Sequence, residues 1–180
     1  MTLDERNDWP SAWTPDSKAI LFFSDRSEKW NVYEQALDRD SAEPLVATPQ
    51  VDLYPRLSPD GAWVVYKSYA KPGYKGPSAA SQLRRVPVSG GPSQFVLTAH
   101  GLNNHGCARA PATLCLVGET TDDQKQIIFT TFDPVLVSDQ IGRRAATAST
   151  FQVRRRGARR CFTSTSKVTP PRCGSRRAVS

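Results

Sequence analysis

The residues WTPDSKAILFFS at positions 13–24 align without a gap on LSPDGAWVVYKS at positions 57–68, at an offset of 44 residues. Both copies contain a proline-aspartate pair, followed by a short apolar run that ends at a serine. A sequence period of about 40–45 residues, with four short strands in each unit, is typical of a β-propeller blade. A single blade cannot bury its own apolar face, so neighbouring blades must stack. The spacing therefore predicts an all-β chain of stacked blades.

The segment before each apolar run is predicted to be a tight turn between the first two strands of a blade. Pro15 and Pro59 preset the backbone of the turn, Asp16 and Asp60 can accept hydrogen bonds from nearby backbone N–H groups, and Gly61 suits the last turn position. Catalytic carboxylates would have to converge across a cleft. We therefore interpret both aspartates as turn formers.

Alternating strands can be followed through two full units and into a third, degenerate unit, which keeps only Pro111 of the turn motif. The pattern stops in mid-blade, so residues 1–134 are predicted to hold about two and a half blades. A closed propeller needs about 4–8 blades. We expect the remaining blades, or a second copy of the chain, to cover the open face. The strands are predicted at residues 19–24, 30–37, 43–47, 52–57, 62–68, 81–88, 93–98, 107–109, 114–119 and 126–131.

The phrases SPDG (58–61) and SDR (24–26), the latter followed by WNVY (30–33), resemble the WD40-like Asp-Pro repeat family (PD40) of TolB and of propellers beside hydrolase domains. The resemblance covers roughly residues 8–134. The runs RRVPVSGGP (84–92) and CARAPATLC (107–115) are similar to the C-terminal propeller of acidobacterial serine/threonine protein kinases and related winged-helix regulators. This likeness implies a non-catalytic binding or sensing module, a fragment of a bacterial signalling protein. The chain has no glycine-rich phosphate loop and no His-Arg-Asp or Asp-Phe-Gly motif, so no kinase activity is implied.

A propeller module of this kind is expected to bind a protein, a peptide or a cell-wall-type ligand on its face. Connecting loops carry recognition on a rigid scaffold, and the loops predicted for this role are Tyr69–Ala80 and Ala99–Gly106. Two alternatives come from the resemblance: a TolB-like interaction protein of the envelope, and the regulatory propeller of a prolyl-oligopeptidase-like hydrolase. The tryptophans are expected to be apolar anchors, with Trp13 and Trp63 between blades and Trp30 either in the core or at a ligand-facing rim.

Cys107 and Cys115 flank the third turn, on strands expected to be adjacent and antiparallel. They are a candidate disulfide if the domain is exported, and two buried reduced thiols otherwise. Cys161 and Cys173 lie in the tail, and no Cys-x-x-Cys spacing occurs. A metal site on His105 with Cys107 and Cys115 has neither the ligand number nor the spacing that zinc requires. We predict no catalytic residue, no metal and no cofactor.

Charge divides the chain at about residue 135. Residues 1–134 carry 13 Lys and Arg against 16 Asp and Glu, whereas residues 135–180 carry 11 against one. The tail is predicted to be disordered. Two interpretations stay open, a frameshifted reading of a GC-rich gene and a basic arm that binds nucleic acid or anionic lipid. Because the positive charge belongs to the tail, nucleic acid is not an expected partner of the folded part.

No apolar run reaches the roughly 18 residues needed to span a bilayer. The first eight residues are polar and acidic, unlike a signal peptide. The chain as written is expected to be cytoplasmic. It would be extracytoplasmic as part of a membrane-anchored kinase or a TolB-like protein.

Overall fold

The computed structural model describes residues 6–69 and 80–135, together with the backbone of 151–156 and 159–164. These residues form three antiparallel sheets and no helix. Consequently the described part of the chain contains no helix with the length and hydropathy to cross a bilayer. The prediction of an all-β partial propeller is confirmed.

The first two sheets are four-stranded meanders, in which each strand pairs with the next along the chain. We call them blade 1 and blade 2. The predicted strand bounds agree with the observed ones to within about two residues, because the alternation and the turn residues that define them are local features. Blade 1 contains β1 (Asp8–Trp13), β2 (Ala19–Ser24), β3 (Asn31–Ala36) and β4 (Glu43–Val46); blade 2 contains β5 (Val51–Leu57), β6 (Trp63–Tyr69), β7 (Ala80–Pro87) and β8 (Gln94–His100).

The third sheet, blade 3, follows the same meander order and has five strands. Its first strand departs from the prediction, which placed it at residues 107–109. The strands are β9 (Leu102–Cys107), β10 (Cys115–Thr120), β11 (Gln126–Phe132), β12 (Phe151–Arg156) and β13 (Arg159–Ser164).

The segment Ala99–Gly106, predicted to be a recognition loop, is instead mostly strand. β8 ends at His100 and β9 begins at Leu102, so the connection is Gly101 alone. Gly101 has φ +58, a left-handed conformation that glycine adopts without a steric penalty. Leu102 is buried against blade 2 and anchors the new strand. Of the other predicted loop, Tyr69 ends β6 and Ala80 begins β7, and residues 70–79 lie outside the described residues.

Within the tail, β12 and β13 form a hairpin whose first strand pairs with β11. An unpaired edge of β11 would expose a row of backbone N–H and C=O groups, and pairing satisfies them. The other tail residues, from 136 onward, lie outside the described part of the chain.

Apolar side chains of β6 point alternately to the two neighbouring blades. Val64 and Tyr66 join a buried cluster with blade 1, which includes Leu21 and Val32. Val65 joins a second cluster with blade 3. Because a middle blade is covered on both faces, its central strand is a continuous apolar run rather than an alternating one. Burial of each of these Val and Leu side chains contributes about 1.5–3 kcal/mol.

The outer face of blade 1 carries a row of apolar side chains beneath a cation. Phe22 and Tyr33 are cross-strand partners, and their rings stack with centroids 5.8 Å apart. The Arg26 guanidinium lies 5.0 Å and 4.9 Å from the two ring centroids and forms an ion pair with Asp8. Both rings are buried, so this outer face is covered.

The outer face of blade 3 is open. Leu114 and Leu116 are exposed, and they line an open, mainly apolar hollow of about 470 Å³ together with Cys107 and Phe129. Blade 3 therefore ends the described stack with an apolar face, unlike blade 1.

Candidate ligand-binding site

The predicted turn residues of blade 1 hold a local hydrogen-bond network. The Thr14 hydroxyl donates to Asp16 Oδ1 at 2.7 Å, and the Lys18 N–H donates to the same oxygen at 3.1 Å. These hydrogen bonds lower the pKa of Asp16, the Thr14 hydroxyl making the largest contribution. Pro15 lies between Thr14 and Asp16 in this turn. Asp16 thus stabilises the hairpin that joins β1 to β2.

Blade 2 repeats the network at the equivalent hairpin. The Ser58 hydroxyl donates to Asp60, whose pKa it lowers, and Pro59 precedes the aspartate. Gly61 has φ +72. A Cβ at this glycine would lie 2.9 Å from Cγ of Pro15, so the two turns touch across the blade interface.

The third turn residue, Pro111, lies in a different kind of connection. The Ala110–Pro111 peptide bond is cis, and the turn that joins β9 to β10 contains no aspartate. The hydroxyl–aspartate network recurs one hairpin later, between β10 and β11, where the Thr121 hydroxyl donates to Asp123 Oδ1 at 2.6 Å. The sequence carries this signal, since the pattern Thr-x-Asp-x-Lys at 121–125 repeats that at 14–18.

Cys107 and Cys115 form a disulfide that joins β9 to β10. The two residues are direct cross-strand partners. The bridge closes the proline-containing turn between these strands. It therefore ties together the base of the hairpin that begins blade 3.

An aromatic cluster at the junction of blades 1 and 2 was not predicted from the sequence. Phe23, which is buried, contacts the rings of Trp9, Trp30 and Tyr54 at centroid distances of 6.4, 5.5 and 4.9 Å. Trp9 is 59% exposed and Tyr54 is 42% exposed. Two large rings thus face solvent while resting on a buried third ring, and Trp30 is half-buried behind them. We call this group the aromatic platform.

Both exposed rings of the aromatic platform are carried by bulged first strands. The pairing of β1 with β2 shifts between Pro10 and Ala12, and that of β5 with β6 shifts between Leu53 and Arg56. Tyr54 lies inside the second bulge, with φ +56. Bulges re-aim side chains and are frequent beside functional sites, and a non-glycine residue with positive φ persists only where its surroundings hold it.

Arg56 and His105 brace the bulge that carries Tyr54. Arg56 Nη1 donates to the Ser11 carbonyl at 2.7 Å, which links β5 to the bulge of β1. The His105 ring nitrogen Nε2 lies 3.4 Å from the Val65 carbonyl oxygen. Burial lowers the pKa of His105 to about 4, although hydrogen bonds to the backbone of Val65 and Tyr54 oppose the shift. The imidazole is therefore neutral at physiological pH and supports the bulge without a charge.

Lys67 is a buried cation at the interface of blades 2 and 3. Its ammonium group donates to the Leu102 carbonyl at 2.9 Å and lies 4.5 Å from the centroid of the Tyr69 ring. Burial lowers its pKa to about 8. Within residues 6–69 and 80–135, no carboxylate forms an ion pair with it.

Asp52 is a fully buried acid at the start of β5. Its Oδ2 accepts a hydrogen bond from the Thr48 hydroxyl at 2.5 Å, and its N–H donates to the Trp30 carbonyl at 2.8 Å. Burial raises the pKa of its carboxyl group. Asp52 therefore connects blade 2 to the loop that leads to it, and its backbone is hydrogen-bonded to that of the aromatic platform.

The two tryptophans expected between blades lie in different environments. Trp13, expected between blades, is 54% exposed at the end of β1, because consecutive strand residues point to opposite faces and the preceding Ala12 packs on the core between blades 1 and 2. Trp63 is half-buried beneath the Arg85 guanidinium, 4.1 Å from its ring centroid. Arg85 in turn donates to the Pro134 carbonyl at 2.6 Å, so this pair does connect blade 2 to the end of blade 3.

Comparisons with known proteins support the fold. No family model matches the chain, and no curated protein matches it. TolB from Acinetobacter baumannii superposes with a TM-score of 0.54 at 14% identity, over 73% of this chain and 30% of that one. A putative TolB from Agrobacterium tumefaciens gives a TM-score of 0.44 at 14% identity, over 88% and 48% of the two chains.

The chain thus spans less than one third of the length of the Acinetobacter protein and about half of the Agrobacterium one. At this identity the likeness is one of fold. It agrees with the repeat period, the three stacked meanders and the two inter-blade cores. The chain has the fold of a partial TolB-like β-propeller.

Proposed function

We propose that the chain is a non-catalytic binding module that recognises a protein or peptide ligand on the propeller face. The observation that carries this proposal is the aromatic platform, where Trp9 and Tyr54 are exposed on rigid, bulged strands. Tryptophan and tyrosine dominate the hot spots of protein interfaces. The buried titratable groups Asp52, Lys67 and His105 contact backbone or hydroxyl groups of the fold, which supports structural roles rather than catalytic ones.

Selection from a random-peptide library displayed on phage tests the binding function. The immobilised full chain should enrich peptides whose recovery falls when both Trp9 and Tyr54 are replaced by alanine. Trp13→Ala is the matched control, since it removes an exposed tryptophan from the same strand without touching the aromatic platform. Equal enrichment on all three proteins would contradict the assignment of the ligand to this site.

We further propose that the chain is a piece of a longer bacterial signalling protein, similar to the propeller region of a serine/threonine protein kinase. The runs at 84–92 and 107–115 support this proposal, as does the fraction of a TolB chain that the residues span. The genomic DNA around the gene, read in all frames, tests both this and the origin of the tail. Further blade repeats in another frame beyond codon 135, with a kinase domain nearby, are the expected result. Their absence would remove the kinase association.

A TolB-like envelope protein is the second candidate. The Cys107–Cys115 disulfide favours it, because disulfides persist in oxidising compartments. A kinase ectodomain would share this feature, so the neighbouring genes and domains distinguish the two. Alkylation of the protein in intact cells, without reductant, should leave both cysteines unmodified if either assignment is correct.

The open face of blade 3 is proposed to receive the remaining blades or a second copy of the chain. Leu114 and Leu116 would be covered in either case. Light scattering across a concentration series distinguishes them, since a second copy predicts a dimer that Leu116→Glu dissociates. A monomer at all concentrations would favour missing blades.

A further inference from the structure

We propose that Trp9 and the carboxylate of Asp25 together form a docking site for a basic side chain, a lysine or an arginine, of the peptide ligand. This inference rests on the proposed binding function and names the chemical class of its ligand. Three observations carry it: the sheet face that the two residues share, the uncompensated charge of the carboxylate and the open face of the indole.

Trp9 and Asp25 stand on the same face of blade 1. The register of β1 and β2 pairs Trp9 with Phe23. Two residues before Trp9, Asn7 Nδ2 donates to Asp25 Oδ2 at 2.7 Å, so the pairing continues in this direction. Because alternate residues of a strand point to the same face, Asp25 is the diagonal neighbour of Trp9. Diagonal neighbours lie about 7–8 Å apart, close enough for one long side chain to contact both.

The carboxylate of Asp25 keeps its charge. Its two oxygens accept hydrogen bonds from the side-chain amide and the backbone N–H of Asn7, at 2.7 Å and 3.0 Å, and both donors are neutral. These hydrogen bonds lower the pKa of Asp25, the side-chain amide making the largest contribution. Arg6 acts on the carboxylate at longer range, but no Lys or Arg within residues 6–69 and 80–135 forms an ion pair with it. The ionised carboxylate has lone pairs left for a ligand cation.

The indole of Trp9 offers one face to a ligand. The ring stacks on Phe23 at an interplanar angle of 9°, so its other face is turned to that buried ring. Trp9 is 59% exposed, and in the described part of the chain no Lys or Arg lies over the indole. The quadrupole of an aromatic ring attracts a cation over its face, most strongly in tryptophan. An open indole face beside an ionised carboxylate therefore favours a cation over a neutral or anionic group.

The charges on the two sides of Trp9 set where the cation binds. Asp25 lies towards Asn7, before Trp9 in the chain. Arg56 lies in the opposite direction, where its Nη1 donates to the Ser11 carbonyl at 2.7 Å. Attraction to Asp25 and repulsion from Arg56 both place the ligand cation at the Asp25 side of the indole.

Titration with the tripeptide Gly-Arg-Gly, blocked at both ends, tests the proposal. The control is Gly-citrulline-Gly, which has nearly the same shape and no charge. In the ¹H–¹⁵N spectrum of the full chain, the indole N–H signal of Trp9 should shift, whereas that of Trp13 should not. A dissociation constant of about 1–10 mM is expected for so small a probe. The citrulline peptide should bind at least about threefold more weakly, because it lacks both the cation–π and the ion-pair contribution.

Two variants separate the contributions of charge and ring. Asp25→Asn keeps the shape of the side chain and removes its charge, and it should weaken the binding of Gly-Arg-Gly about two- to fivefold. Trp9→Leu should weaken it by a similar factor. Asp40→Asn and Trp13→Leu are the matched controls, since both residues are exposed on blade 1, and they should leave the dissociation constant unchanged. The indole shifts are read on the wild-type protein, so the test holds even if a variant does not fold.

Three results would overturn the proposal. One is the absence of any shift of the Trp9 signal up to about 20 mM Gly-Arg-Gly. Another is equal binding of the arginine and citrulline peptides. The third is an affinity for Gly-Arg-Gly that Asp25→Asn leaves unchanged. If phage selection yields peptides without Lys or Arg that still require Trp9, the binding function stands and the ligand class proposed here is wrong.

Discussion

Gly61 of the second blade faces Pro15 of the first so closely that a Cβ on the glycine would lie 2.9 Å from the proline Cγ. The two residues occupy equivalent turns of consecutive repeats. The turn motif therefore has two roles, since it closes its own hairpin and also sets how closely adjacent blades approach. Glycine meets both requirements, having no Cβ and adopting φ +72 without strain.

Gly61→Ala is expected to destabilise the chain by more than the backbone penalty alone. A left-handed alanine costs about 1–2 kcal/mol, and the contact with Pro15 adds to it. Gly90→Ala is the matched control, since Gly90 has φ +83 and a Cβ added there would meet no atom within 4 Å. Urea unfolding of both variants measures the difference. Equal losses would show that the contact between the turns contributes nothing.

Removal of the Cys107–Cys115 disulfide by a double serine substitution is expected to lower the free energy of unfolding by about 2–3 kcal/mol, as the chain-entropy estimate for so short a loop indicates. Urea unfolding under non-reducing conditions measures the change. The same variant and the wild type, compared in dithiothreitol, should differ by much less. A loss that persists in full after reduction would mean that packing, not the bridge, is responsible.

His105 makes stability fall on mild acidification. Its pKa is about 4 in the folded protein and about 6.5 in the unfolded chain. Between these values the unfolded state binds more protons, so acidification favours unfolding, by roughly 3 kcal/mol in total if the full shift is realised. Arg56 and Lys67 are the charged groups that act on this ring, and both lower its pKa.

The variant His105→Gln should lose this pH dependence. The difference in unfolding free energy between wild type and variant, followed from pH 7.5 to pH 4.5, isolates the imidazole because the carboxylates are common to both proteins. Parallel stability curves over this range would contradict a buried neutral His105.

Lys67 makes stability rise at alkaline pH. Its pKa is lowered to about 8 in the folded state, against about 10.4 when unfolded. The unfolded state therefore binds more protons between these values, and raising the pH through this interval favours the folded state. Lys67→Met should abolish the rise. At pH 7 this substitution removes the desolvation penalty of a buried charge but leaves the Leu102 carbonyl without its hydrogen-bond donor, so the two effects are expected to offset each other in large part.

Lys18→Met is the control for the alkaline effect, since Lys18 is exposed and lies on a turn. This variant should retain the wild-type rise between pH 8 and pH 10. A wild-type protein whose stability is flat over that range would indicate that the Lys67 ammonium is not confined between the blades.

The strands and turns of blades 1 and 2 could be predicted because each depends on neighbours in the chain. Ala19–Ser24 was placed correctly from its apolar run and the preceding turn. The start of β9 directly after Gly101 could not be predicted from the sequence. A single left-handed glycine can reverse the chain, but the sequence around it also suits a loop, and only the burial of Leu102 against blade 2 decides that a strand begins there.

The repeat by itself determined that the chain is a stack of antiparallel blades, because alternation and turn chemistry act over a few residues. The tertiary structure alone decided that Trp9 rather than Trp13 joins an exposed cluster, and that Tyr54 lies beside it. These residues come from strands about one repeat apart. Trp9 and Tyr54 both contact Phe23 only after the two blades have packed face to face. No local sequence pattern encodes which side of a bulged strand is then exposed to solvent.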